Sequence, residues 1–130
     1  MLVDAAHNPH GMAATVAALI DAFSFTHLVA VVACLADKDV RSMLEVLEPA
    51  VAAIVVTENS SPRHLPVEAL AELALELFGP DRVHVEARLD DALDTAMALV
   101  DAEAAYGGVG VLVTGSVVTA GEARTLLRAR

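Results

Sequence analysis

The chain has 130 residues, 56% of them apolar and 20% charged, with a net charge of −10 and a single cysteine. This length suits one domain with its own core, and three Phe, one Tyr and no Trp make that core aliphatic. Seven Arg and one Lys scattered through an acidic chain exclude a nucleic-acid surface, which needs clustered cations against phosphate. Cys34 alone allows no internal disulfide, no stretch has the form of a secretory signal, and the longest apolar runs are too short for a bilayer span, so a soluble protein of the reducing cytoplasm is expected.

Residues 1–3 predict a short strand, truncated at its start. Asn8-Pro9 then opens a helix, because asparagine accepts from free first-turn amides and proline suits the first helical position; Met12, Val16, Leu19, Ile20 and Phe23 share its apolar face. A strand over 28–33 follows, and Cys34 is read as lying inside this second strand, a buried, inert thiol. Next come a helix from about Asp39, with Val40, Met43, Leu44 and Leu47 inward, and a strand over 53–57. After Pro66 the stripe Val67, Leu70, Ala74 and Leu77 runs to Gly79-Pro80. A strand over 83–85, the stripe Leu89, Leu93, Ala96, Met97 and Val100 ended by Gly107-Gly108, and a strand over 109–113 continue the alternation. A last helix, starting soon after Ser116, carries Leu126 and Leu127. Five βα units with continuous apolar strands predict an α/β domain, a Rossmann-like, mostly parallel sheet with helices on both faces.

In such sheets ligands bind beyond the carboxyl ends of the strands. The loops there, 4–10, 36–39, 58–64, the turn around Arg88, and 114–116, hold most of the unusual polar residues; the opposite turns, Glu48-Pro49, Gly79-Pro80-Asp81 and Tyr106-Gly107-Gly108, are ordinary turn chemistry. Asp4 either accepts hydrogen bonds from sugar hydroxyls or ties down its own turn. His7 is free to point into the crevice or serves the turn, and Asn8 caps. Asp4, His7 and His10 also suggest a metal, but no further ligand stands at a suitable spacing. Lys38, between two aspartates, is either a solvated charge or a mobile cation for phosphate or carboxylate. Arg63 offers a planar fork to a carboxylate, or else pairs with Glu58. Gly115 permits close backbone approach, and Ser116 places a hydroxyl near a helix N-terminus, the elements of an anion cradle. There is no P-loop, no G-x-G-x-x-G after the first strand and no G-x-S-x-G elbow. These patterns predict a ligand-binding domain and leave the ligand open.

Four stretches narrow it. "LVDAAHNPHG" resembles the D-G-A-H-N-P segment that opens the C-terminal domain of folylpolyglutamate synthases and dihydrofolate synthases, members of the Mur ligase superfamily. "LADKDV" is similar to that family's D-K-D loop, "NSSPR" to its S/D-N-P-R loop, and "VTGSVVTAGEAR" to its G-S-L-Y-x-x-G-E segment, all in order over nearly the whole chain. Ala5 stands for the usual glycine, and Val117-Val118 for the Leu-Tyr pair. The resemblance implies that residues 1–130 are a glutamate ligase domain, a fragment lacking the N-terminal P-loop ATPase domain that would be its partner. It implies an enzyme in which ATP, with Mg2+ held mainly by the missing domain, phosphorylates a folate carboxylate, and glutamate then attacks the acyl phosphate. It further implies that Asp4 binds the ribose, that His7 faces the phosphates and the incoming amino acid, and that Asn8 caps with nucleotide contact. Arg63, Ser116 and Lys38 would hold glutamate, and no metal site would belong to the chain itself. A ligase of the Mur group using another amino acid, and a non-catalytic small-molecule-binding domain, are the alternatives.

Overall fold

The computed structural model describes residues 1–22, 27–103 and 108–129; Phe23, Tyr106 and Gly107, to which the sequence assigns a core position and a turn, lie outside them. Five strands, β1 (Leu2–Val3), β2 (His27–Val32), β3 (Ala53–Val56), β4 (Val83–Val85) and β5 (Val109–Thr114), form one wholly parallel sheet in the order β1-β5-β2-β3-β4. The helices are α1 (Pro9–Ala22), α2 (Val40–Leu47), α3 (Val67–Phe78), α4 (Leu89–Glu103) and α5 (Val117–Arg128), with a 3-10 turn at Pro80–Arg82.

Because successive strand residues point to opposite faces, β2 feeds two cores. Leu28, Ala30 and Val32 join Ile54, Val56 and Leu112 under α1, α2 and α3, while Val29 and Val31 join Val55, Val111 and Val113 under α4 and α5. After His27, which is only partly buried, β2 is apolar at every position, and so is β3, as strands covered on both faces must be. The predicted stripes of α2 and α3 are inward, with only Leu77 of the eight partly buried. Two expected core residues are not: Ile20 is 66% exposed and Met97 36%. At 3.6 residues per turn Ile20 stands roughly 80° from Met12, at the rim of a stripe whose helix overhangs the short edge strand β1. Among the described residues no helix is long and apolar enough to cross a membrane.

The direction of the crossovers decides where a cleft opens. The helix following β2 lies on one face of the sheet and the helix following the neighbouring strand β5 lies on the other. Their connecting loops diverge, and a crevice forms between them at the carboxyl edge.

Candidate functional site

Gly115 sits at the bottom of this crevice. Its φ is +122°, and a Cβ there would lie 2.3 Å from the Ala33 carbonyl oxygen and 3.2 Å from the Cys34 sulfur, so the end of β5 packs against the end of β2 as only glycine can. Its amide donates to the Ala6 carbonyl at 3.2 Å, which draws in the first loop. The second and third loops are laced together: Ala36 N donates to Arg63 O at 2.8 Å and Leu65 N to Cys34 O at 2.9 Å, around an antiparallel bridge between Leu35 and His64. Cys34 lies just beyond β2 and not inside it, because strand pairing stops at Val32, but it is buried as expected, and burial pushes its thiol up from 9.0 to about 12, leaving it protonated and unreactive.

A cleft of about 220 Å³ lies over this junction, lined by His7, Leu35, Lys38, Arg63, Ser116, Val117 and Val118. Four of the six residues singled out in the sequence thus come from four different loops to one place. The volume falls below the ~300–1,000 Å³ of a complete small-molecule site. The cleft is cationic on one side and aliphatic on the other. Arg63 is 67% exposed and stands 3.5 Å from Asp37, an exposed pair of little energetic weight. The alternative partner, Glu58, is otherwise engaged: one oxygen accepts from Val67 N at 2.8 Å, capping α3 where Pro66 cannot, and the other lies 3.4 Å from His64 Nε2. Lys38 makes no ion pair among the described residues. His7 is exposed, with Nδ1 3.2 Å from the Ala5 carbonyl; a carbonyl only accepts, so Nδ1 is the donor in this contact and Nε2 is left for another partner.

Asp4 and Asn8 are not among the described residues lining the cleft. Asp4 Oδ2 accepts from Ala6 N at 2.8 Å, Thr15 Oγ1 at 3.0 Å and Thr114 Oγ1 at 3.4 Å, which ties down the turn, and the residue borders a separate groove beside β1 and α1. Asn8 caps α1, its Oδ1 accepting from Gly11 N at 2.7 Å. Asp39 caps α2 in the same way through Ser42 N. Arg88, after β4, forks onto Asp90 at 2.8 and 3.0 Å, and that hydrogen bond holds the Asp90 carboxyl below its ordinary range. Among the described residues no three His, Cys, Asp or Glu side chains converge as metal ligands.

Ser116, only 1% exposed, caps α5 by accepting from Thr119 N at 2.9 Å. Behind it lie two groups that spacing did not single out. Asn59 Nδ2 donates to Ser116 Oγ at 3.3 Å and Thr119 Oγ1 at 3.0 Å, and Glu122 accepts from Ser60 N at 2.7 Å and from the Ser60 hydroxyl. Nothing local marks them, because their partners are about sixty positions away in the chain.

The family model for the Mur ligase glutamate ligase domain matches residues 1–117. The chain is 50% identical over 134 aligned positions to the dihydrofolate synthase/folylpolyglutamate synthase of Mycobacterium tuberculosis, covering 97% of this chain and 28% of that protein. It superposes on a structure of Mycobacterium tuberculosis folylpolyglutamate synthase complexed with ADP with a TM-score of 0.92 and 53% identity, over 95% of this chain and 29% of that one. Escherichia coli FolC in complex with DHPP and ADP gives a TM-score of 0.81 at 27% identity, over 98% of this chain and 29% of the other. The chain therefore spans less than a third of the length of the relatives it matches.

Proposed function

The chain belongs to the Mur ligase glutamate ligase domain family, and from that premise we propose that it is the C-terminal domain of an ATP-dependent ligase that adds glutamate to a folate. In this reaction the γ-phosphoryl group of ATP passes to a folate carboxylate, releasing ADP. The amino group of glutamate then attacks the acyl carbon, releases phosphate and leaves an amide. Both steps depend on holding the reactants in place and balancing charge. This chain supplies one wall of the site, and a P-loop ATPase domain supplies the other.

The observation that carries the proposal is the convergence of His7, Lys38, Arg63 and Ser116 on one cleft from four separate loops. A dicarboxylate in a domain of net charge −10 needs a local cation, and Arg63 and Lys38 provide it at the cleft's mouth. Ser116 holds the first turn of α5 in place, so that its amide end favours a carboxylate. In the neutral ring, His7 Nε2 is the group to receive a hydrogen bond from the incoming ammonium or amine. Asp4 has all three of its bonds on Oδ2, so Oδ1 is the oxygen offered to a ribose hydroxyl. Asn8 shapes the turn that faces the nucleotide. Mg2+ accompanies the ATP, and its ligands are assigned to the P-loop domain.

Arg63→Ala in the full-length ligase tests this directly. Once the cleft closes and the pair is desolvated, losing the fork costs roughly 2 to 5 kcal/mol of glutamate binding. The KM for glutamate rises steeply while that for ATP barely moves, and Arg63→Lys recovers only part of the loss because an ammonium cannot bind in bidentate fashion. Unchanged glutamate kinetics in the alanine variant would refute the assignment.

A further inference from the structure

We propose that Asn59 is a positioning residue of the cleft, setting the spacing between Arg63 on one rim and the first turn of α5 on the other, a role that rests on the assignment of the cleft to glutamate. Asn59 is 5% exposed although it belongs to a surface loop. Burying an amide is costly unless its donors and acceptor are satisfied. Here Nδ2 donates to Ser116 Oγ and Thr119 Oγ1, and Oδ1 accepts from Ser61 N at 3.0 Å. Ser61 Oγ in turn accepts from the Arg63 amide at 3.1 Å. An unbroken path of hydrogen bonds therefore runs from the cap of α5 to the backbone of Arg63.

The proton directions along this path are determined. Thr119 Oγ1 donates its single proton to the Ala33 carbonyl at 2.7 Å. The 2.9 Å contact between the two hydroxyls must therefore be a donation from Ser116 to Thr119. Both hydroxyl oxygens present only lone pairs to residue 59, and they need a donor there. Asparagine supplies one in Nδ2. An aspartate of the same shape would place a buried carboxylate against two acceptors.

A second attachment fixes orientation as well as distance. One residue on, Ser60 bonds to Glu122 through both its amide and its hydroxyl, so two consecutive loop residues grip α5 one turn apart. Arg63 and Lys38 sit on loops held to each other by backbone bonds. A slip at residues 59–60 would therefore move the cationic rim relative to α5 without disturbing the sheet.

The test compares Asn59→Asp, Glu122→Gln and Arg63→Ala in the full-length ligase, with thermal melting of each. Misplacing a binding group by about an ångström has large kinetic effects, so Asn59→Asp is expected to raise the KM for glutamate roughly tenfold to a hundredfold. Its KM for ATP should stay within twofold, and Glu122→Gln should move the same constant a smaller amount in the same direction. Should Asn59→Asp fail to fold, Thr119→Val, which removes the acceptor and keeps Asn59, takes its place. Lower melting temperatures with both KM values unchanged would make the clasp purely structural and overturn the proposal. A large effect of Arg63→Ala with none from the clasp variants would overturn it while leaving the glutamate assignment standing. No effect of Arg63→Ala would instead remove the glutamate assignment, and the spacing claim with it.

Discussion

The two edges of the sheet solve the same problem with different chemistry. At the amino edge, where α2 ends and β3 and β4 begin, one cation serves the backbone. Arg82 Nη2 donates to the carbonyls of Glu48 at 2.6 Å and Val51 at 2.7 Å, Nε donates to Ala52 O at 3.4 Å, and the guanidinium lies 4.9 Å from the centre of the Phe78 ring. At the carboxyl edge no cationic side chain among the described residues serves the backbone in this way: amides, hydroxyls, a glycine and the carboxylates of Asp4, Glu58 and Glu122 do the tying, while Arg63, Lys38 and His7 line the cleft. An arginine committed to three carbonyls cannot also receive a ligand. Binding capacity is found where the cations are left out of holding the loops.

The largest expected effect is at Gly115. Gly115→Ala drives a methyl group into the Ala33 carbonyl at positive φ, and should cost about 3 kcal/mol or more. Gly79→Ala at the amino edge, also at positive φ but facing open space, should cost about 1 kcal/mol. Urea denaturation of both distinguishes the edges, and equal losses would erase the difference. A second effect is pH-dependent. The Cys34 thiol has its folded value raised from 9.0 to about 12, so below pH 9 both folded and unfolded chains keep the proton and nothing is lost. Above it only the unfolded chain ionises, and stability should fall by about 1.4 kcal/mol per pH unit until the folded thiol titrates. Cys34→Ser, followed by denaturation at pH 8 and pH 10.5, isolates this slope. Arg82→Met, which keeps the contact with Phe78 and removes the fork, should cost about 2 kcal/mol, since the site is a third exposed and water replaces part of the bonding. Arg63→Ala should be the smallest, within about 0.5 kcal/mol in the same assay. A larger loss there would mean that the carboxyl-edge cation is structural after all, and the contrast with Arg82 would disappear.

Much of this was legible in the sequence because it is periodic or local. The stripe of α2, the cap at Asn8, the helix starts near Asp39 and Ser116, and the parallel sheet all follow from spacing and from rules that operate within a few residues. Strand ends were off by one residue or so; His27 and Thr114 carry a strand further than apolar runs suggest, because pairing with β5 and β2 continues past the last aliphatic side chain. The convergence of four loops on a cleft follows from the fold class once the strand order is known, but the order itself, with β5 between β1 and β2, has no local signature. Arg82, Asn59 and Glu122 were illegible for the same reason. Each acts on residues 30 or more positions away, and the type of side chain alone does not reveal whether it points outward or into another loop.

That strand order also dictates a sequence of events during synthesis. β2, β3 and β4 are neighbours in both chain and sheet, and with α2 and α3 they can pack as soon as they leave the ribosome. Of the five strands β1 emerges first and waits longest, because Leu2 and Val3 pair with Leu112 and Val113, more than a hundred positions further on. Closing so long a loop is slow, and the first loop is anchored by the same late strand, through Asp4 N to Val113 O and Gly115 N to Ala6 O. His7 therefore reaches the cleft only after β5 has been translated and inserted beside β2. A nascent chain halted before Val109 would expose the flank of β2 along its whole length, an unpaired edge open to other strands.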